Sequence, residues 1–183
     1  LLQQVKYFIK FVTIQKFYND LLDLKKYRMK NLLSYYEKIE NTLNKCGFHK
    51  EEGASSDFKS AFTRCSLFVN LVFLVKIVED KNVDESTIND LVSSGREWCT
   101  SNLKASWIFK ESGLNIILLH KGQIDLGSVK RQVDTTGMHG SICQSITAID
   151  ITNNIVIQEK TWVVVGKVRK SLMRLKEITQ PVA

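Results

Sequence analysis

Residues 57–80 read DFKSAFTRCSLFVNLVFLVKIVED, and the architecture of the chain turns on how this stretch folds. Phe58, Phe62, Cys65, Phe68, Val69, Val72, Phe73 and Val75 make it strongly apolar, and no Gly or Pro interrupts it. Its length and lack of breakers favour a buried helix, with Ser56 or Asp57 as the cap. The β-branched residues leave a strand open for the second half, because branching at Cβ suits an extended backbone. The longest apolar run, Cys65 to Val75, is broken by Ser66 and Asn70 and ended by Lys76. It falls well short of the ~20 residues that span a bilayer.

Towards the N-terminus lies a polar loop, HKEEGASSD over 49–57, preceded by Gly47, a natural helix stop. From Leu1 to Cys46 there is neither Gly nor Pro. Phe8, Phe11, Tyr18, Leu22, Met29, Leu32, Tyr36, Ile39, Leu43 and Cys46 recur at steps of three, four or seven. Gln15 and Lys25 interrupt this heptad-like stripe, which is cleanest from Met29 onwards. An unbroken helix of that length would measure roughly 65–70 Å. It would pair with another helix or bend near Asn19-Asp20, where a second segment can be capped. The spacing makes Met29, Leu32, Tyr36, Ile39 and Leu43 the candidate interface residues.

Towards the C-terminus, Asp84 with Glu85 and Thr87 opens a helix carrying Ile88, Leu91 and Val92. Gly95 is expected to interrupt it, and a further helix with Trp98, Leu103, Trp107 and Ile108 to end near Gly113. The character then changes to short runs rich in Ile, Val and Thr. Leu114–His120 is one candidate strand. Ile146–Thr152 and Ile155–Val165 flank a two-residue turn at Asn153-Asn154, a register that sets Ile151 opposite Val156 and Ile149 opposite Gln158. A final amphipathic helix runs from Lys167 to about Ile178, with Val168, Leu172 and Leu175 on its apolar side. The expectation is an α+β chain: a long helical arm over 1–46, a helical core over 57–112, and a region over 113–183 with a small antiparallel element and a basic helix. The last two are read as one folded unit.

The chain has 183 residues, with 26 Lys and Arg against 19 Asp and Glu, a net charge of +7. The composition is that of an ordinary folded domain, long enough to bury a core without disulfides or a metal. It starts at Leu1 without a methionine, as a piece of a longer polypeptide would. Cys46, Cys65, Cys99 and Cys143 are too far apart for a C-x-x-C pair, and there is no N-x-S/T sequon. Both features favour a reducing intracellular setting, cytoplasmic or nuclear.

The charge is uneven: 1–46 holds nine basic and four acidic residues. Lys25, Lys26, Arg28 and Lys30 form one basic cluster, and Lys167, Arg169, Lys170, Arg174 and Lys176 a second. Together they have the electrostatic footprint of a nucleic-acid-binding module. The plain alternative is a solvated helix face with cations at its C-terminal end, where the helix dipole favours them. His139 and Cys143, in GMHGSIC, have the residue types of a thiolate–imidazole pair, though this spacing is common by chance. No metal-site, P-loop or dinucleotide pattern accompanies them, and no cofactor is implied. The leading functional expectation is therefore a non-catalytic interaction or scaffold domain of a larger assembly, with a protein partner or a second copy on the first helix. Nucleic-acid binding and a Cys/His enzyme are the alternatives.

Overall fold

The structure is a computed structural model. It describes residues 32–52, 57–65, 69–79, 82–103, 111–121, 124, 129, 133, 141–161, 164 and 166–178. The chain divides into two compact units, Leu1–Tyr35 and Tyr36–Ala183, and the boundary falls inside the first described helix. All but residues 32–35 of the description belong to the second unit.

That helix, α1 (residues 32–45), buries Leu32, Tyr36, Ile39 and Leu43, one side chain per turn on a single stripe. It ends where Gly47 adopts φ +80°, a conformation that costs glycine little. The Phe48 N–H bonds the Leu43 carbonyl at 3.1 Å and the Gly47 N–H bonds the Asn44 carbonyl at 2.9 Å. This is the Schellman closure, and Leu43 and Phe48, the two residues whose backbones it joins, are both buried.

The chain then builds one six-stranded mixed sheet in which strand order follows chain order. The strands are β1 (His49–Glu51), β2 (Ser60–Cys65), β3 (Val69–Val78), β4 (Glu111–His120), β5 (Ser141–Asp150) and β6 (Ile155–Lys160). The pairs β1–β2, β2–β3 and β5–β6 are antiparallel. The central pairs β3–β4 and β4–β5 are parallel. Parallel neighbours need a crossover, and helix α2 (Glu85–Asn102) supplies the first.

Alternation along the strands sends side chains to both faces. Val72, Leu74, Leu114, Ile116 and Ala148 share one face, beneath Ile88, Leu91, Val92 and Trp98 of α2. Val129 and Val133, from the connection between β4 and β5, join that same cluster. Two successive parallel crossovers of the same hand reach the same face in this way. On the other face Phe73 meets Phe48 edge-on, with ring centroids 4.9 Å apart. Helix α3 (Gly166–Glu177) buries Val168, Leu172 and Leu175, and the Gln158 side chain of β6 donates to its Leu172 carbonyl at 3.2 Å. The sheet is therefore covered on both sides.

This is an α/β arrangement, and the α+β expectation with a helical bundle is corrected. Residues 60–65 and 69–78, expected to be helical, are β2 and β3. A strand buried on both faces is apolar at consecutive positions, and so is a buried helix; hydrophobic periodicity does not separate them. Residues 111–112, placed in a helical core, begin β4. Gly95 does not interrupt α2: its missing side chain lets the helix approach Leu74 and Leu114 closely. The antiparallel element is the margin of a larger sheet, and its register pairs Ile149 with Val156 and Thr147 with Gln158. The connection spans residues 151–154 because the Asp150 carboxylate accepts from the Thr152 and Asn153 N–H groups and closes the turn early. Asn154 does take positive φ, at 56°. The part of the expected helical arm before residue 32 lies outside the described residues.

Candidate functional site

Two helices far apart in sequence meet along a groove. From α1 come Lys38, Asn41, Thr42 and Lys45, which are spaced to share one helical face beside the buried stripe. From the end of α3 come Arg174 and Glu177, followed by Ile178. The groove encloses about 500 Å³ and carries three cationic side chains against one carboxylate. The Arg174 guanidinium is half-buried and lies 3.8 Å from the Cys46 sulfur, which ties α3 to the end of α1. Glu40, on the same helix as the groove lysines, is engaged by Lys50 at 3.2 Å. The Lys50 ammonium also lies 5.4 Å from the Tyr36 ring centre. Its pKa is raised, chiefly by its hydrogen bond with Tyr36; burial opposes this, and Glu40 adds to it.

Outside the groove, Lys167, Arg169, Lys170 and Lys176 are exposed on α3. Thus Lys167, Lys170 and Arg174, anticipated as nucleic-acid contacts, lie on one helix, and Arg174 is the one that reaches the groove. Lys25, Lys26, Arg28 and Lys30 lie outside the described residues. Lys38 and Lys45 were not anticipated, because neither belongs to a run of charges. Their signal is the spacing Lys38, Asn41, Thr42, Lys45, a polar stripe at helical period.

Of the anticipated interface residues, Leu32, Tyr36, Ile39 and Leu43 are buried, and Met29 lies outside the described residues. Ile39 and Leu43 belong to the same compact unit as the sheet. Cys143 is fully buried in β5 on the α2 face, and its candidate partner His139 lies outside the described residues. No disulfide joins the four cysteines. The Cys99 thiol, on the buried side of α2, is pushed by burial to a pKa of about 11, with a hydrogen bond to Ser141 acting weakly the other way.

In open α/β sheets ligands gather beyond the carboxyl ends of parallel strands. Here that end presents Val78, His120 and Asp150 side by side. Both Asp150 oxygens serve the turn: Oδ1 accepts from Thr152 and Asn153 N–H at 2.8 and 3.0 Å, and Oδ2 from the Asn153 amide at 2.6 Å. Burial alone would raise its pKa, but these bonds and the nearby His120 hold it below the usual carboxylate value. The arrangement is that of a turn anchor.

Among the described residues no group of three or more His, Cys, Asp or Glu is placed to hold a metal ion. No helix among them is long and apolar enough to cross a membrane. Comparison with protein-family models, with curated proteins and with solved structures finds no match.

Proposed function

We propose that the domain binds the phosphate backbone of a nucleic acid along the groove between α1 and α3. One observation carries this reading: Lys38, Lys45 and Arg174 converge on a single groove from helices more than a hundred residues apart. The exposed cations of α3 and the net charge of +7 extend the same field. An interaction role for the first helix would have to use residues other than Tyr36, Ile39 and Leu43, whose apolar surface is already buried.

Three neutralised phosphates give a slope of about −2.7 in log K against log salt on duplex DNA. That slope is a weakening of about fortyfold between 50 and 200 mM salt. Fluorescence anisotropy with labelled single- and double-stranded oligonucleotides measures it. Replacing Lys38, Lys45 and Arg174 together with Ala is expected to weaken binding and flatten the slope. No binding at 50 mM salt, or an unchanged slope in the triple variant, would rule the proposal out.

A further inference from the structure

Helix α3 carries positive charge on both flanks, and the α1–α3 groove uses only one of them. Val168, Ser171, Leu172 and Leu175 form its buried stripe. At 3.6 residues per turn, Lys167 and Lys170 fall in one row with Arg174, the residue that lines the groove. Arg169 and Lys176, two turns apart and both exposed, make a second row on the other flank. Between the rows and opposite the buried stripe stands Met173, at 57% the most exposed large apolar side chain among the described residues. The only acidic residue of the helix is Glu177, at its last position.

A backbone lying in the groove engages Lys38, Lys45 and Arg174 but does not reach the far row. A second anionic strand along Arg169 and Lys176 would leave α3 standing between two backbones. In a nucleic acid that place is a groove of a duplex. A helix with its side chains is about 10–12 Å across, which matches the major groove of B-form DNA at ~12 Å and exceeds the minor groove at ~6 Å. The major groove of duplex RNA is too deep and narrow for side chains to read. The 12 residues of α3 run about 18 Å, the rise of about five base pairs.

Met173 then points at the groove floor, where the thymine methyl is the apolar group on the base edges. Single strands are held instead by stacking on aromatic side chains. No aromatic residue lines the groove or is exposed on α3. A flat anionic lipid surface would meet the outer side of α3 without entering the concavity that Arg174 lines.

We infer, on the nucleic-acid reading of the groove, that the ligand is B-form duplex DNA with α3 seated in its major groove. One backbone lies between α1 and α3, the other runs along Arg169 and Lys176, and Met173 packs on thymine methyl groups.

The test uses the full chain and labelled probes of one A·T-rich sequence, followed by anisotropy. The probes are duplex DNA, the same duplex with uracil in place of thymine, duplex RNA and the single strand; vesicles of phosphatidylserine stand beside them. Duplex DNA should bind at least about tenfold more tightly than duplex RNA or the single strand. Five neutralised phosphates give a salt slope of about −4.5 or steeper, against about −2.7 for the groove alone. Arg169→Ala with Lys176→Ala should flatten it by about 1.8. The uracil duplex lacks the methyl and should bind about fourfold more weakly, and Met173→Ala should abolish that difference without changing the slope. All three side chains are exposed, so the variants keep the core intact. Equal affinity for duplex RNA, or a slope near −2.7 that the α3 variant leaves unchanged, would overturn the inference while the groove reading stood. A thymine–uracil difference that survives Met173→Ala would overturn it as well. Binding to the vesicles without binding to DNA, or to no probe at all, would remove both readings together.

Discussion

Gly95 provides a sharp test of how α2 is seated. Glycine within a helix costs about 1 kcal/mol relative to alanine, so Gly95→Ala should stabilise α2 if nothing else intervened. The sheet does intervene. A Cβ at this position would stand 2.9 Å from one Leu114 methyl and 3.3 Å from the other, and 3.3 Å from a methyl of Leu74. Carbon atoms rest about 3.5–4.0 Å apart, so Leu114 must retreat by roughly 0.6 Å or the helix must lift. Both leucines are fully buried in a packed layer, where such insertions cost about 1–3 kcal/mol. Set against the propensity gain, the expected result is a net loss of about 1 kcal/mol. Urea unfolding followed by far-UV circular dichroism should show a lower midpoint with an unchanged m-value. Combining Gly95→Ala with Leu114→Val removes the obstructing methyl's reach, and the pair should cost at least about 0.5 kcal/mol less than the sum of the single changes. A Gly95→Ala protein that is more stable than the parent by about 1 kcal/mol would refute the close approach of helix and sheet.

Two further outcomes follow from single side chains. Asp150→Asn removes a charged acceptor from the β5–β6 turn and should cost about 1–2 kcal/mol at neutral pH, measured by urea unfolding. Because the folded carboxyl lies below its unfolded value near 3.9, its contribution is complete above that pH. It is lost as the pH falls through the folded value, so the acid decline in stability should be shallower in Asp150→Asn. Thiol labelling at pH 8 should modify Cys65, which is exposed, and leave Cys46, Cys99 and Cys143 protected until denaturant is added. Cys99, whose burial raises its pKa to about 11, should stay slow for as long as α2 remains seated on the sheet, and mass spectrometry of peptides reads each site.

Capping chemistry was legible in the sequence where one residue decides it. Asp84 accepts from the Thr87 N–H at 2.9 Å and begins α2, and Gly47 ends α1, both as their residue types imply. The apolar side of α3 was equally plain, since Val168, Leu172 and Leu175 alternate with charged neighbours. The nature of residues 60–78 was not. Val72, Phe73, Leu74 and Val75 are all fully buried, so the chain carries no polar positions there from which a period could be read. The groove was less legible still, because it assembles residues that only the tertiary fold brings together. Lys38 and Arg174 belong to opposite ends of the chain.

The agreement of strand order with chain order has a consequence for synthesis. A chain leaving the ribosome at about 5–20 residues per second can lay each new strand beside the one just made, with no gap to be filled later. The growing margin is then always the newest strand. Once β4 has emerged and β5 has not, that margin is a run including Leu114, Ile116, Ile117, Leu118 and Leu119, all buried in the finished protein. An open apolar strand of this kind recruits other chains. Stalling or cleavage between residues 121 and 140 should therefore yield aggregates, whereas the completed sheet is bordered by three-residue β1, with His49, Lys50 and Glu51, and by the largely polar end of β6.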